Sequence, residues 1–541
     1  MRISFIKKVG KLAVIAHLRD APSNIERQNL LKDIIRSELP ANESLIMYFD
    51  TLLFLLAYPA TPGELQLTEK ALRQITGFLS KRRKQPFEWL QNSGLPYNVT
   101  ITQFSHDTVR WLMDHPDCKV EIDSFAESKA SLYEILQITL PNTEKHIAAI
   151  GLDNEALMDA LHVPPPSRLP FIIAEFSRFD EQPQLKDTLF DYLGLNVCVT
   201  PKNKRLSGSY NRLPVKSTFY HQDFLSHFDH KALLAQPVPS PERLMKKQKA
   251  EIIDIVKNAM LLTARETDPT TYLMERSLRF YNLERGISIC IYGMEAHRQL
   301  PLESYVGYTV FKNGIPVAYG GAWIFGERAQ FGINIFEPYR KGESGYIMIQ
   351  LLRLYKNVFN IRYFEVEPYQ YGLDNPEGIS SGAFWFYYKY GFRPIDPTLR
   401  KKAAAEAEKI RQKKNYRTNH KTLFEFTGSN IFLNFGKRVP PSVSSVTGTI
   451  TRMIGRVYKG NRLAAEKEAI ADFCLKTGVK HSNKKYSTAL SELALWAKAG
   501  NIQDKKSLDL MAKMVEQKPK DLYAYQQVLL DYFSDQKEAT R

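Results

Sequence analysis

A short basic loop with two glycines is the segment of this 541-residue chain best suited to chemistry. Gly332–Tyr346 reads GINIFEPYRKGESGY, which predicts a strand, the loop, and a helix over Tyr346–Leu354. Glycines let a backbone approach a ligand closely, and the first N–H groups of a helix attract anions. The segment therefore predicts a phosphate-binding turn, with an ordinary strand–turn–helix connection as the alternative. Its candidate binding residues are Phe336, Arg340, Lys341, Gly342, Ser344, Gly345 and Tyr346.

A second motif lies downstream, where Ala383–Pro394 reads AFWFYYKYGFRP and predicts an aromatic helix. Between the two motifs, alternation of apolar and polar residues predicts a strand at Ile361–Glu367. Upstream, the same period predicts four further strands, and Asn313-Gly314 predicts a tight hairpin turn because both residues tolerate positive φ. These four strands are Gly286–Tyr292, Tyr305–Phe311, Ile315–Phe325 and Gln330–Phe336.

This order of strand, loop, helix, strand and aromatic helix resembles the GCN5-related N-acetyltransferase (GNAT) superfamily over about residues 264–397. The family's late helix reads Ala-x-x-Phe-Tyr-x-Lys-x-Gly-Phe, and six positions match it in register: Ala383, Phe386, Tyr387, Lys389, Gly391 and Phe392. The family's loop reads Arg/Gln-x-x-Gly-x-Gly/Ala. Arg340 and Gly345 match its first and last positions, whereas Glu343 replaces the middle glycine.

The resemblance implies a transferase that moves an acetyl or other acyl group from coenzyme A to an amine by direct attack. Acetyl-CoA or another acyl-CoA is then the cosubstrate, no metal is needed, and the loop residues hold its pyrophosphate. In the family, the tyrosine at the Tyr387 position protonates the departing thiolate. Two other functions stay open: aminoacyl transfer from tRNA on the same fold, and a non-catalytic interaction protein that keeps the fold.

A protonated amine also needs a base, and three carboxylates near the predicted loop are candidates. Glu337 ends the strand before the loop and is preferred, because that strand frames the acyl group in the family fold. Glu365 and Glu367 share a face of the following strand and are candidate acceptor-binding residues, with solvated carboxylates as the alternative.

The chain departs from a minimal family member by an insertion, Pro368–Gly382, which reads PYQYGLDNPEGISSG. Loops beside an active site commonly carry function, so it predicts an acceptor-binding or lid loop through Tyr369 and Asn375. A surface excursion is the alternative.

The remaining sequence predicts a mixed α+β protein whose mainly antiparallel sheet is flanked by mainly helical regions. Helical spacing and breakers such as Pro164–Pro166 and Pro237–Pro241 predict the boundaries. A helix is predicted from Ser240 to about Thr263 and another from Pro269 to Glu284. The predicted regions are a helical domain at 1–163, a mixed segment at 167–236, an acyltransferase-like domain at 240–397 or to 436, a basic helix or linker at 400–421, and a helical region at 442–541.

Charge and cysteine usage limit the partners and the compartment. The net charge of +16 favours RNA or another polyanion as a partner, with a generally basic surface as the alternative. Four scattered cysteines indicate a reducing cytoplasm. The longest apolar stretch, Leu45–Tyr58, contains Asp50 and is too short to cross a bilayer. The clustered His221, His227 and His230 fit no zinc spacing, so no metal site is predicted.

Overall fold

The computed structural model describes residues 4–83, 87–126, 129–480 and 487–539. Its first half contains four amphipathic or apolar helices followed by a small sheet with its own helices. The elements are α1 (Phe5–Ile15), α2 (Ala21–Ile35), α3 (Ser44–Ala57), α4 (Pro62–Ser80), β1 (Thr100–Gln103), α5 (His106–Met113), β2 (Cys118–Phe125), α6 (Leu132–Thr139), α7 (Asn154–Ala160), α8 (Arg168–Ser177), α9 (Pro183–Leu193) and β3 (Leu195–Pro201).

A second, larger group of elements follows and contains the predicted motifs. It comprises α10 (His230–Ala235), α11 (Lys246–Leu262), α12 (Asp268–Thr271), β4 (Arg279–Asn282), β5 (Ile287–Gly293), β6 (Ser304–Lys312), β7 (Ile315–Phe325), β8 (Arg328–Ile335), α13 (Ser344–Phe359), β9 (Tyr363–Val366), α14 (Pro376–Ser380), α15 (Ala383–Lys389), β10 (Arg393–Pro394), α16 (Pro397–Gln412), α17 (His420–Phe426) and β11 (Ile431–Asn434). The C-terminal helices are α18 (Val443–Tyr458), α19 (Arg462–Thr477), α20 (Ser487–Ala499), α21 (Lys505–Gln517) and α22 (Leu522–Ala539).

The large sheet has eight strands in the order β10-β11-β9-β8-β7-β6-β5-β4. Neighbouring strands are antiparallel except β8 and β9, which are parallel and are connected through α13. The three-stranded sheet has the order β1-β3-β2 and is antiparallel. The predicted mixed α+β class with a mainly antiparallel sheet is therefore confirmed.

Helix α13 packs against the large sheet and fixes the position of the loop before it. Its residues Ile347, Leu351 and Tyr355 are fully buried, and the Tyr355 hydroxyl donates a 2.7 Å hydrogen bond to the carbonyl of Val306 on β6. Buried side chains of α1–α4 belong to the same core as this helix and the sheet. Residues around β1–β3 form a second core, and α18–α22 form a third.

Three sequence expectations about local structure were wrong. The segment Pro269–Glu284 is not one helix, because only Asp268–Thr271 is α-helical and Arg279–Asn282 pairs with β5 as an edge strand. The helix predicted from Ser240 begins at Lys246. Strands β1 and β2 lie in a region predicted to be helical. In each case a partner distant in sequence decides the conformation. No helix among the described residues is long and apolar enough to cross a membrane.

The predicted Asn313-Gly314 turn is confirmed, and it also joins distant segments. Asn313 and Gly314 have φ values of 47° and 81°. The Asn313 side chain donates to the carbonyls of Ala57 and Phe219 and accepts from the N–H of Phe219. A Cβ atom on Gly314 would collide with the backbone oxygen of Leu213.

We therefore expect Gly314→Ala to lower the free energy of unfolding by about 2 kcal/mol, from left-handed backbone strain and the collision together. Urea unfolding measures the change. Gly460→Ala is the matched control, since Gly460 has a φ of 86° but open space around its Cβ position. Equal losses for the two variants would show that the contact with Leu213 contributes nothing.

Candidate functional site

Strands β8 and β9 separate after a short parallel contact, which leaves a gap in the large sheet. They pair only over Arg328–Gln330 and Tyr363–Glu365, although β8 continues to Ile335. The side chain of Gln370 lies in this gap, where its Oε1 accepts a 3.3 Å hydrogen bond from the backbone N–H of Ile333. The free edge of β8 can therefore bind an amide group.

Tyr387 lies at the same gap, next to Gln370. It is 2% exposed and packs against Phe386 and Phe392. Its hydroxyl donates a long, 3.4 Å hydrogen bond to Oε1 of Gln370. Burial raises the pKa of Tyr387 well above its usual value, so the hydroxyl stays protonated and can donate a proton.

The two glycines of the predicted phosphate-binding loop are covered by tyrosine side chains. A Cβ atom on Gly342 would lie 2.6 Å from the ring of Tyr58, and one on Gly345 would collide with the hydroxyl of Tyr390. Both positions therefore need glycine for internal packing. Ser344 and Gly345 are partly exposed, and their backbone N–H groups have no acceptor among the described residues. The first turn of α13 thus keeps N–H groups that could face an anion.

Glu343, which replaces the family's middle glycine, points into the protein and away from solvent. Its carboxylate is 2.7 Å from Nζ of Lys312 and 2.7 Å from a guanidinium nitrogen of Arg285, and it accepts a 3.2 Å hydrogen bond from the N–H of Leu225. Burial lowers the pKa of Lys312 to about 8, against the opposing effect of Glu343. The negative charge of Glu343 is therefore neutralised internally and does not oppose a phosphate at the exposed face.

The buried ring of His221 lies beside this cluster, with its Nε2 3.7 Å from Glu343. Burial strongly lowers the pKa of His221, so the ring is neutral. Sequence reasoning noticed Glu343 but found none of its partners, because the sheet and the 219–228 segment bring them together from distant positions.

The charged side chains at the loop differ in their availability. Arg340 pairs with Glu377 of the inserted loop and donates a 3.2 Å hydrogen bond to the carbonyl of Ile335. Lys341 is exposed and has no ion-pair partner among the described residues. Glu337 has a side chain 68% exposed and lies 3.6 Å from Arg265. Lys341 and Glu337 can therefore reach a ligand without breaking internal structure.

The two aromatic candidates beside the loop are buried in protein. The ring of Phe336 packs on Tyr319, with centroids 5.1 Å apart. The Tyr346 hydroxyl accepts a 2.9 Å hydrogen bond from Nε2 of Gln350. Both side chains contribute to the core that positions the loop.

Two of the four acceptor-binding candidates have structural partners instead. Glu365 is buried, pairs with Arg328 and accepts a 2.6 Å hydrogen bond from Nδ2 of Asn430. Asn375 caps α14 by accepting from the N–H of Gly378. Glu367 and Tyr369 are exposed and remain able to contact an acceptor.

Sequence reasoning missed Asp50 as a site residue. It lines two neighbouring cavities, of 240 Å³ and 640 Å³, which also share Ile46, Glu337 and Pro338. Burial, followed by the charge of Glu337, raises the pKa of Asp50 to about 6. The sequence signal that could have identified this residue was a single acidic side chain inside the apolar run of α3.

One group of potential metal ligands, His106, Asp107 and Asp180, occurs among the described residues. The ammonium of Lys186 lies 3.0 Å from Asp107 and 2.7 Å from Asp180, and Arg298 lies 2.8 Å from Asp107. These cations already balance the carboxylates, so the group is a structural charge cluster.

Comparisons with protein-family models, with curated proteins and with solved structures found no match to this chain. The resemblance to the GNAT superfamily consequently depends on the motifs and on the geometry described above.

Proposed function

We propose that this chain is an acyl-CoA-dependent N-acyltransferase whose reaction centre is the gap between β8 and β9. The observation that carries the proposal is the single parallel pair in the sheet, which separates after three residue pairs beside Tyr387. The gap exposes backbone groups of β8 next to a protonated tyrosine. Such an arrangement suits a linear, amide-containing substrate that must receive a proton at one end.

The residues at the start of α13 fit a phosphate group. The unbonded N–H groups of Ser344 and Gly345 lie at the positive end of a 16-residue helix, and Lys341 adds an exposed charge. Arg340 could contribute by releasing Glu377. These residues would hold the pyrophosphate of an acyl-CoA, and the bound acyl-CoA would supply a thioester carbonyl to the amine.

In the proposed reaction, the amine nitrogen forms a bond to the acyl carbon and the bond from that carbon to sulfur breaks. Glu337 accepts a proton from the amine, and Tyr387 donates a proton to the departing sulfur. In net terms, one proton moves from nitrogen to sulfur. The Tyr387 hydroxyl must first break its hydrogen bond to Gln370. This bond is long, at 3.4 Å, so breaking it costs little free energy.

Calorimetric titration with acetyl-CoA and with coenzyme A tests the proposal. We expect micromolar binding that Arg340→Ala/Lys341→Ala weakens at least about tenfold, a loss of about 1.4 kcal/mol. Lys246→Ala/Lys247→Ala is the matched control, because these exposed residues also begin a helix. Failure of the wild-type chain to bind either compound would overturn the dependence on acyl-CoA.

The covered glycines favour a second candidate function. Since Tyr58 and Tyr390 lie against Gly342 and Gly345, a donor that places no pyrophosphate there fits as well. Aminoacyl transfer from tRNA is such a reaction, and the basic surface would then contact RNA. If neither acyl-CoA nor aminoacyl-tRNA binds, we infer a non-catalytic interaction protein.

A further inference from the structure

Asp50 is a partly buried carboxylate without a hydrogen-bond donor among the described residues. It lies on α3, whose other side chains at this level, including Phe49, Leu52 and Leu53, are buried and apolar. Glu337 is the nearest acidic group to affect it, and Arg265 is 3.6 Å from Glu337. A carboxylate that lies against an apolar wall and has no protein partner favours a ligand that brings a hydrogen-bond donor or a cation.

Several other polar groups that line the 240 Å³ cavity already have partners. Asn92 exchanges two hydrogen bonds with the backbone of Ile101, of 3.0 Å and 2.8 Å. The Thr263 hydroxyl donates to the carbonyl of Ala259, and Arg265 donates a 3.1 Å hydrogen bond to the hydroxyl of Tyr319. Among the described groups of this wall, Asp50 is therefore the carboxylate with neither a hydrogen bond nor an ion pair, since Glu337 pairs with Arg265.

The charged side chains that line the 240 Å³ cavity sum to a net negative charge. Its lining contains two carboxylates, Asp50 and Glu337, and one cation, Arg265, which interacts with Glu337. The remaining wall is mainly apolar and includes Ile46 and Leu262. A site with one unpaired carboxylate in an apolar wall matches a ligand with one positive charge on an apolar body.

The volume sets the size of the ligand. A cavity of about 150 Å³ holds benzene, so 240 Å³ has room for a ring with a short aminoalkyl chain. We propose that this cavity binds a small organic cation, a primary amine on an aromatic or aliphatic body, through the carboxylate of Asp50. The larger cavity shares Asp50 and Glu337 with it, and its lining also includes Arg340 and Lys341.

An amine held by Asp50 would lie on the same wall as Glu337. If the proposed function is correct, the carboxylate assigned as its base is thus adjacent to the bound cation, and Asp50 would select the acceptor. The role of Asp50 in selecting the acceptor rests on the proposed function, whereas the cation site itself does not.

Titration of the intact chain with 2-phenylethylamine, in the absence of any acyl-CoA, tests the site. We expect saturable binding at pH 8 that Asp50→Asn weakens at least tenfold, while Asp33→Asn, at an exposed aspartate of α2, leaves it unchanged. The neutral analogue 2-phenylethanol should bind at least tenfold more weakly. Equal affinity of the Asp50→Asn variant, or of the alcohol, would overturn the proposal.

The pH dependence of the wild-type chain gives a second test that needs no variant. The amine keeps its charge between pH 8 and pH 5, whereas Asp50 takes up a proton as the pH falls through about 6. Binding should therefore weaken over this range. The other charged or titratable groups that line the two cavities are Glu43, Glu337, Tyr339, Arg265, Arg340, Lys341 and His17, and burial lowers the pKa of His17. A pH dependence that persists in Asp50→Asn would assign it to these groups and would contradict the role of Asp50.

The outcomes separate this inference from the proposed function. Binding of the amine without binding of acetyl-CoA would support the cation site and reject the acyl donor. Binding of acetyl-CoA with no amine binding would reject the cation site alone.

Discussion

Replacing Glu343 by glycine should lower the free energy of unfolding by about 3–5 kcal/mol, because it leaves the charge of Lys312 buried without its partner. Lys312 is fully buried and its Nζ is 2.7 Å from Glu343. The family pattern has glycine at this position, so sequence reasoning alone would expect the change to improve the loop. The structure predicts the opposite. Urea unfolding monitored by circular dichroism measures the loss.

Lys341→Gly is the matched control, since it makes the same backbone change two residues earlier at an exposed side chain, and it should cost less than about 1 kcal/mol. A double-mutant cycle with Lys312→Met adds a direct measure of the pair. The double variant should recover part of the stability, because the unpaired ammonium is removed together with the carboxylate. Equal stability of Glu343→Gly and Lys341→Gly would contradict the buried cluster.

Tyr387→Phe should reduce turnover by about 10²–10⁴-fold if Tyr387 protonates the leaving sulfur, while changing stability by less than about 1 kcal/mol. The ring remains in its pocket, and only a 3.4 Å hydrogen bond to Gln370 is lost. Steady-state turnover of an accepted amine provides the measurement, and acetyl-CoA affinity should stay unchanged.

The neighbouring Tyr388→Phe is the control, because Tyr388 is partly exposed on the same helix. Burial raises the pKa of Tyr387, so a folded chain keeps this hydroxyl protonated at higher pH than a free tyrosine. The rate of the wild-type chain should therefore show no loss from ionisation of Tyr387 below about pH 10. Full turnover in Tyr387→Phe would show that the general-acid assignment is wrong.

Local sequence signals predicted the parts of the fold that local interactions determine. The Asn313-Gly314 turn has the expected positive φ values, and the strands beside it begin and end within about two residues of expectation. The edge strand β4 was missed because Phe280 and Tyr281 are extended only through pairing with β5. The local sequence pattern of β4 does not indicate that β5 is its partner.

The same distinction between local signals and distant partners applies to the residues of the candidate site. Tyr387 and the loop were singled out from their spacing in the sequence, and their roles stay predictions. The internal role of Glu365 was not predictable, because Arg328 and Asn430 approach Glu365 only after the sheet forms. Asp50 was visible only as a charge in an apolar helix, and the cavity that it lines is formed by several segments that are distant in sequence.

The anchoring of the Asn313 side chain constrains the order in which the protein can assemble. Asn313 donates to the carbonyl of Ala57, which lies 256 residues away along the chain, and Glu343 contacts residues from three distant segments. Closing such long loops costs conformational entropy before any contact compensates for it. The β6–β7 hairpin, closed by two residues, is available early, whereas the end of α3 can dock only after the turn exists. The N-terminal helices are therefore the first part of the core to be synthesised and the last that can complete it.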